Sequence, residues 1–417
     1  EDQLPGKKAE RARVTDVNHQ QGFVSMHIPG AGIRPFHYSQ VYPTTTKQLE
    51  IYEASVKESV HSVLNGCNSC IMCYGQTGSG KTFTFLGPEG CLENLQGEDR
   101  DLANIFTQYP TLGLVLRTTD DLFLAKDHFE KYQITMNIGV QMIEVYDEKT
   151  TDLLTGRPVT VRRDTGNVNG PIVFVQNQSE FLQYLKTAHA NQRYAETAMN
   201  QRSSRAHTVF LFHITQQFTP HSSSSSKHGK PLLLQSQLHL VDLAGSERVK
   251  RSRVTGIHLR EAVGINSSLL VLGKVISALV KGRSHVPYLE SKLTTILKSA
   301  FGGNARTTVI INTRTEGEHG DETLQTLRFG ERCAMISNTL KQLASSYEDT
   351  LSILDQSLEA LNKQIISFQS KEKTQLSAYR TLLESFSNLT RKREELLLLK
   401  KEQDPGVLKE NLKDSMI

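Results

Sequence analysis

The sequence contains no tryptophan, only five cysteines, and no apolar run long enough to cross a membrane. Its longest nearly apolar run, from Leu269 to Val280, is interrupted by Lys274, whereas a membrane-spanning helix needs about 20 apolar residues. An odd and small number of cysteines does not support a disulfide scaffold, and Glu1 to Lys8 lack the apolar core of a secretion signal. We therefore expect free thiols, a reducing compartment and no membrane span.

Three of the cysteines form a C-x-x-C-x-x-C pattern, at Cys67, Cys70 and Cys73. Apolar residues such as Ile71 and Met72 surround them, and no second group of Cys or His follows at the spacing of a zinc site. Cysteine is also among the residues most often buried as a small apolar side chain. The pattern predicts buried strand thiols rather than a metal centre.

The composition is that of a globular protein with an appendage. Hydrophobic residues make up 37% and charged residues 22% of 417 residues, which suffices for a large core and excludes a disordered or fibrous chain. Strand-like runs alternate with helical stretches, a pattern that favours a sheet covered by helices. These runs lie at Tyr132 to Val145, Val209 to Thr215, Leu238 to Val241 and Thr308 to Ile311. The segments Gly87 to Asp101 and Ser222 to Ser226 are predicted as loops.

The composition changes near Asn338, after which strand signals are few. Apolar residues then recur at an average spacing of 3.5, which indicates a helix with a heptad seam. The seam comprises Tyr347, Leu351, Leu354, Leu358, Leu361, Ile365 and Phe368, and after polar Glu372 and Gln375 it resumes at Tyr379, Leu382, Phe386 and Leu389. It predicts either a coiled coil between chains or a helical hairpin that folds back on the globular part, ending before Pro405 and Gly406.

A phosphate-binding motif, G-x-x-x-x-G-K-T, follows directly after an apolar strand. Its glycines let backbone N–H groups surround a phosphate chain, Lys81 can reach the β- and γ-phosphates, and the hydroxyl of Thr82 can bind magnesium. The predicted nucleotide ligands are Gly75, Gln76, Thr77, Gly78, Ser79, Gly80, Lys81 and Thr82. The motif predicts an α/β fold of the P-loop NTPase type, with a central mixed sheet and helices on both faces, and the heptad seam adds a C-terminal long helix or coiled coil.

Two further segments can complete a nucleoside triphosphate site. A strand ending at Asp242 is followed by Gly245 and Glu247; the carboxylate of Asp242 can hold a magnesium-bound water, and the N–H of Gly245 can bind the γ-phosphate. In Asn200 to His207, the hydroxyls of Ser203 and Ser204 suit magnesium and the γ-phosphate, and Arg205 could pair with Glu247.

These three segments together, GQTGSGKT, NQRSSRAH and DLAGSER, resemble the kinesin motor domain in letters, order and spacing over roughly residues 22 to 338. The resemblance implies a magnesium-dependent ATPase stimulated by microtubules. It implies that Ser203 and Ser204 contact the γ-phosphate and magnesium, with Ser204 as the metal ligand. Arg205 and Glu247 would close the site, and Glu247 would accept a proton from the attacking water through a second water.

The resemblance also implies a microtubule-binding face and a motor that moves along microtubules. Between Glu247 and Lys298 there are ten basic and three acidic residues, a net of +7 in a chain of net charge +4, as expected for a surface that meets acidic tubulin. The basic residues assigned to this face are Lys250, Arg251, Arg253, Lys281, Arg283, Lys292 and Lys298. We expect a motor domain over 1–338, a helical neck or coiled coil over 339–403 and a tail over 404–417.

The sequence departs from the family at several positions. The first strand, with an R-x-R-P stretch that covers adenine, is missing, so Phe83 alone is predicted to contact the base; no N-K-x-D motif for guanine occurs, which favours ATP and ADP. Ala206 replaces a serine, Ser267 stands where many members carry lysine, and the usual neck segment after Asn338 is not evident. These last two departures favour an alternative, a non-motile microtubule tether or filament-end regulator with weak ATPase activity.

The expected partners and location follow from the same resemblance. We expect microtubules, a homodimer or hetero-oligomer formed through the coiled coil, and no nucleic acid. The expected location is the cytoplasm and cytoskeleton, with spindle, cilium or flagellum as possible sites.

Overall fold

The computed structural model describes residues 11–95, 102–132, 134–198, 205–218, 233–247, 267–341, 344–345, 347–370 and parts of 379–394. The strands are β1 (Arg13–Asn18), β2 (Phe23–Ile28), β3 (Gly32–His37), β4 (Asn68–Gly75), β5 (Ile134–Tyr146), β6 (Lys149–Asp152), β7 (Arg157–Pro158), β8 (Thr160–Val161), β9 (Val168–Asn169), β10 (Val173–Val175), β11 (His207–Phe218), β12 (Leu233–Asp242), β13 (Ala305–Asn312) and β14 (Ala344–Ser345).

Helices α1 (Gln48–Ile51) and α2 (Lys57–Leu64) are joined by a π-helical turn, Tyr52–Val56. The others are α3 (Lys81–Phe85), α4 (Cys91–Asn94), α5 (Leu102–Gln108), α6 (Leu114–Glu130), α7 (Gln178–Ala198), α8 (Ser267–Val280), α9 (Lys292–Ile296), α10 (Gly320–Ala334) and α11 (Tyr347–Gln369). Short 3-10 turns lie at Tyr288–Glu290, Leu297–Ser299 and Gly317–His319. In its described part, 87–95, the predicted loop from Gly87 contains the short helix α4. Ser222 to Ser226 lie outside the described residues.

The central sheet has the strand order β13-β4-β12-β11-β5-β6-β7, with β10 beside β5 and β14 beside β12. Strand β4 is parallel to both β13 and β12, and the pairs from β12 onward to β7 are antiparallel. The sheet is therefore mixed, as predicted. Because β4 lies between two parallel strands, its carboxyl end at Gly75 meets the ends of β12 and β13 at one edge.

Alternate residues of each central strand face opposite layers of helices, because successive side chains in a strand point to opposite faces. One core contains Ile71 and Cys73 together with residues of α2, α6 and α7. The other contains Cys70 and Met72 together with residues of α8, α9 and α10. Cys70 and Cys73 are fully buried, which confirms them as buried strand thiols, whereas Cys67 lies just before β4 and is only half-buried. Burial raises the pKa of Cys70 to about 12.

The side chain of Asn338 anchors the segment after α10 through hydrogen bonds to the backbone. Asn338 Nδ2 donates to the carbonyl oxygens of Ala300 and Ala305, each at 2.7 Å, and its Oδ1 accepts from the N–H of Gly302 at 2.7 Å. Further on, β14 pairs antiparallel with Leu233 and Leu234 at the start of β12. Strand β4 pairs with β12 only from Leu238 onward, so the start of β12 offers a free edge.

This pairing corrects one sequence-based expectation. The sequence predicts a helical neck or coiled coil from residue 339 onward. Instead, two residues form a strand on the central sheet before α11 begins at Tyr347. A strand of two residues is too short to show periodicity in a sequence, and its position depends on an edge more than 100 residues away.

The described part of the predicted heptad seam faces inward within one chain, whereas the side chains of Tyr347, Leu351, Leu354 and Leu389 lie outside the description. Leu361, Ile365 and Phe368 of α11 are buried with Leu382 of the returning segment. Tyr379, Phe386, Leu358 and Phe174 of β10 pack against this group. We call α11 and the described residues of 379–394 the C-terminal hairpin.

The C-terminal hairpin also contacts the globular part through a cation–π interaction. The guanidinium of Arg157 in β7 lies 3.3 Å from the ring centroid of Phe368. Asp355 and Arg393 form an ion pair between the two arms. The described residues thus adopt the second alternative from the sequence, a hairpin folded on the globular part, and pairing between chains stays a prediction. No helix among the described residues is long and apolar enough to span a membrane.

Candidate nucleotide site and adjoining basic surface

The phosphate-binding loop leaves the carboxyl end of β4 and enters α3 at Lys81. Gly80 precedes α3 with φ of 93°, a left-handed conformation that glycine adopts without a steric penalty. Helix α3 ends after only five residues, so its dipole is small and the N–H groups of the loop itself provide most of the attraction for an anion. The loop and its glycines thus form where the sequence predicts them.

Lys81 is held inside this loop. Its side chain is buried, and its Nζ donates to the carbonyl oxygen of Gln76 at 2.9 Å. Burial lowers the pKa of Lys81, while the carboxylates of Asp242 and Glu247 act in the opposite direction. A buried ammonium facing a neutral carbonyl would gain a stronger, charge-assisted partner in a phosphate oxygen.

Thr82 and Asp242 meet across the edge of the sheet, as expected for a magnesium site. The hydroxyl of Thr82 donates to Asp242 Oδ2 at 2.6 Å. Asp242 Oδ1 and Ser79 Oγ are buried and have no hydrogen-bond partner among the described residues. Burial raises the pKa of Asp242 to about 6. These oxygens fit a hydrated magnesium ion and a phosphate, the two partners that the sequence predicts for them.

Gly245 and Glu247 lie against the phosphate-binding loop. The carboxylate of Glu247 accepts hydrogen bonds from the N–H and the hydroxyl of Thr77, at 2.8 and 2.6 Å. A methyl group on Gly245 would collide with Thr77 Oγ1 and with the carboxylate of Glu247, so a larger residue here would displace these two side chains. The N–H of Ser246 donates to the carbonyl oxygen of Gly75 at 3.0 Å. The segment after β12 is therefore joined directly to the loop.

The third predicted segment is described only in part. Ser203 and Ser204 lie outside the described residues. Arg205 is half-buried, and its pairing with Glu247 stays a prediction. The side chain of Phe83 is 46% exposed, which leaves a ring face available for a base, and its carbonyl accepts from Gln48 Nε2 at 2.7 Å.

Two contacts around the loop involve residues to which the sequence analysis assigns no role. His319 Nδ1 lies 3.0 Å from Gln76 Nε2, and the ring of Phe329 stacks on Tyr74 with centroids 3.6 Å apart and an interplanar angle of 7°. Both partners come from the segment that follows β13, more than 240 residues from the loop. No local pattern in the sequence indicates contacts of this range.

Four of the predicted microtubule-binding residues are described, and they lie after α8, at the start of α9 and in the 3-10 turn that follows α9. Lys281 and Arg283 are exposed just after α8. Lys292 begins α9, and its N–H donates to Glu148 Oε2 at 2.7 Å. Lys298 is half-buried and donates to the carbonyl oxygen of Asp164 at 3.1 Å.

The other three basic residues, Lys250, Arg251 and Arg253, lie outside the described residues. We call Lys281, Arg283, Lys292 and Lys298 the basic surface. Helices α8 and α9, which carry it or lead to it, share one core with the strands.

Comparisons with known proteins agree with this geometry. The model of the kinesin motor domain matches residues 6–336. The chain is 37% identical over 346 residues to kinesin-like protein KIN-14G of Arabidopsis thaliana, covering 80% of this chain and 32% of that protein. It is 38% identical over 310 residues to kinesin-like protein KIN-14D of Oryza sativa subsp. japonica, covering 72% and 29%. The chain thus spans about a third of the length of these relatives.

A solved structure supports the same assignment. It is described as "Structure of a fast kinesin: Implications for ATPase mechanism and interactions with microtubules", and it matches with a TM-score of 0.67 and 33% identity, covering 81% of this chain and 89% of that one. The fold, the three motifs and these matches lead to one conclusion: this chain belongs to the kinesin motor domain family.

Proposed function

We propose that this chain is a magnesium-dependent ATP hydrolase that microtubules stimulate and that works as a kinesin-type motor. The observation that carries the proposal is the double contact between the phosphate-binding loop and the end of β12. Thr82 bonds to Asp242, and Thr77 bonds to Glu247. A change at the terminal phosphate would therefore alter the position of the segment that leads from β12 toward the basic surface.

The chain's own residues would bind and orient the nucleotide. The loop N–H groups and Lys81 hold the phosphates, Phe83 contacts adenine, and Thr82, Ser204 and Asp242, the last through a water, hold Mg²⁺. When bound, Mg²⁺ supplies charge neutralisation for the phosphates. Ser203 orients the γ-phosphate and Glu247 accepts a proton from the attacking water through a second water, with Arg205 fixing its carboxylate. Positioning and charge dominate such phosphoryl transfer.

Hydrolysis would change the grip on the microtubule through Gly245. Its N–H would bind the γ-phosphate, and loss of that contact after phosphate release would shift the segment between β12 and α8 between two positions. Helix α8 ends next to Lys281 and Arg283, and basic residues there suit the acidic surface of tubulin. Binding of this kind weakens as salt concentration rises.

The decisive experiment measures phosphate release with and without microtubules, in the parent and in Glu247→Ala. We expect microtubules to accelerate release in the parent and Glu247→Ala to abolish most of it. Glu58→Ala serves as the control, because Glu58 is an exposed carboxylate on α2. Turnover that microtubules do not accelerate would refute the motor function. Turnover in Glu247→Ala equal to that of the parent would refute only the proton-transfer role.

The basic surface has its own test. Charge reversal at Lys281 and Arg283 should weaken affinity for microtubules far more than basal turnover, and Lys363→Glu, an exposed change on α11, should leave that affinity as in the parent. Equal affinity in all three proteins would remove the assignment. Reversal at Lys250 and Arg251 extends the same test to the residues outside the described ranges.

A second candidate is a non-motile tether or filament-end regulator with weak ATPase activity. It is favoured by Ser267, an uncharged first residue of α8, at a position where the resemblance implies lysine. Single-molecule tracking on polarity-marked microtubules separates the two candidates. Directed runs support the motor, whereas static or diffusing molecules support the tether.

The proposed setting is the cytoplasm and cytoskeleton, with microtubules as the partner. The seam of the C-terminal hairpin also supports a proposal of pairing between chains, as a homodimer or hetero-oligomer. Because that seam is covered within the chain, such pairing requires the hairpin to open.

A further inference from the structure

His207 lies at the point where three elements meet. It is the first residue of β11, two positions after Arg205, and its side chain is 1% exposed. Its Nδ1 lies 3.0 Å from the backbone nitrogen of Ala244, next to Gly245, and its Nε2 lies 2.7 Å from the hydroxyl oxygen of Ser268 in α8. The ring thus touches the phosphate-sensing segment on one side and the first turn of α8 on the other.

The two contacts determine which ring nitrogen carries the proton. A backbone N–H can only donate, so Nδ1 of His207 must accept from Ala244. The proton of the neutral ring then sits on Nε2, which donates to the hydroxyl of Ser268. Burial, with Lys81 nearby, lowers the pKa of His207 to about 3. The ring therefore keeps one tautomer and one orientation throughout the physiological pH range.

The contact connects the nucleotide site with the basic surface. Ala244 directly precedes Gly245, and Ser268 is itself buried, at 7% exposure. Helix α8 runs from Ser267 to Val280 and ends beside Lys281 and Arg283. A helix of this length spans about 21 Å, and its buried residues Leu269, Leu272, Val275 and Ile276 pack in the shared core. A displacement of its first turn would therefore be passed on to its far end.

We propose that His207 is a positioning residue that couples the phosphate-sensing segment to α8. This inference rests on the proposed function. The imidazole does not touch the reacting atoms; it links the backbone of Ala244 to Ser268, so that a shift of the sensor moves the helix next to the basic surface. The segment 248–266 joins the same two elements along the chain, and the histidine provides a link through side chains.

The test uses variants that remove the two hydrogen bonds of His207 one at a time. His207→Asn places an amide oxygen near the position of Nδ1, which keeps the bond from Ala244 and loses the bond to Ser268. His207→Gln places an amide group near Nε2, which keeps Ser268 and loses Ala244. Ser268→Ala removes the same bond as His207→Asn from the other end. Ser277→Ala is the matched control, because Ser277 is a half-buried serine on the same helix.

The readout is the ratio of microtubule affinities with a non-hydrolysable ATP analogue and with ADP, measured by co-sedimentation. Breaking one buried hydrogen bond in this link should reduce the ratio roughly fivefold to tenfold in His207→Asn, His207→Gln and Ser268→Ala. The double variant His207→Asn with Ser268→Ala should lose no more than either single change, because both remove one bond. Ser277→Ala should keep the parental ratio.

Three outcomes separate the possibilities. A parental ratio in Ser268→Ala and His207→Asn overturns the inference and leaves the proposed function intact. Lower thermal stability in both variants with an unchanged affinity ratio per folded molecule also overturns it, because that result shows a merely structural role. A parent protein whose affinity for microtubules is the same with both nucleotides refutes the proposed function itself. If His207→Asn fails to fold, Ser268→Ala alone decides.

Discussion

The C-terminal hairpin should open when the ring of Phe368 is removed. Phe368 is 2% exposed, packs with Leu361, Ile365 and Leu382, and carries the guanidinium of Arg157 over its face at 3.3 Å. Phe368→Ala removes the largest side chain of a small core, in which four of the described residues are buried. The perturbation therefore acts on whether the hairpin stays folded on the globular part.

The size of the effect follows from what the ring contacts. Replacing a buried phenylalanine by alanine costs about 3–5 kcal/mol in a large core, and a cation over an aromatic face contributes about 0.5–1 kcal/mol. Because this core is small and can relax, we take about 3 kcal/mol, which corresponds to roughly a 100-fold change in an opening equilibrium. Such a unit opens locally without unfolding the rest of the chain.

Hydrogen exchange followed by mass spectrometry measures this opening directly. Amides of α11 should exchange roughly 100-fold faster in Phe368→Ala than in the parent, because a loss of about 3 kcal/mol raises the population of the open hairpin by that factor. Those of β4 and β12 should be unchanged. Ile366→Ala is the control, because Ile366 lies on the same helix and is 54% exposed. Sedimentation velocity at micromolar concentration reports whether the opened seam then pairs between chains. Equal exchange of α11 in the two variants would refute the hairpin described here.

Two further predictions concern stability. His207, His213 and His239 are buried, and burial lowers their pKa to about 3, 4 and 4, respectively. Below the ordinary histidine pKa of about 6.5, the unfolded chain therefore takes up protons that the folded chain does not. The free energy of unfolding should be level above pH 7 and should fall toward pH 4 by up to about 1.4 kcal/mol per pH unit for each histidine. Urea unfolding at pH 7.5 and 5.5 checks this, His213→Gln should remove about one proton from the difference, and equal stability at both pH values would contradict it. Asn338→Ala removes the hydrogen bonds to Ala300, Ala305 and Gly302 and should lower the free energy of unfolding by about 2–3 kcal/mol. The control Thr339→Ala keeps the backbone hydrogen bond to Gly303, and its free energy of unfolding should stay within about 0.5 kcal/mol of the parent. A similar loss in both variants would show that the asparagine side chain does not anchor this segment.

The strands and the phosphate-binding loop could be predicted because their signals are local. The apolar run before Gly75 and the spacing to Lys81 and Thr82 specify a strand, a turn and a helix start within a few residues. Thr82 and Asp242 were expected to act together, and the structure places them 2.6 Å apart. The heptad seam likewise predicted a helix over α11, and its described residues Leu361, Ile365 and Phe368 are buried as its period requires.

Contacts between distant segments could not be predicted in the same way. The strand at Ala344–Ser345 depends on the free edge of β12, and the choice between a hairpin and a coiled coil depends on Phe174 and Arg157. A periodic apolar face shows that a helix must be covered, but any surface of matching shape can cover it. The contacts of His207 could not be predicted from local patterns either, because its two partners lie 37 and 61 residues away along the chain.

The sequence by itself determined the chemistry of this protein: a phosphate-binding loop, a carboxylate-bearing strand end and a basic segment, each specified by residue types at short, regular spacing. Only the tertiary structure decided how these parts are connected: Thr77 bonded to Glu247, His207 between Ala244 and Ser268, and the hairpin folded on the sheet. The physical reason is that backbone preferences and periodicity act over a few residues. The bonds that join a nucleotide site to a distant surface arise only when packing of the whole core brings remote segments together.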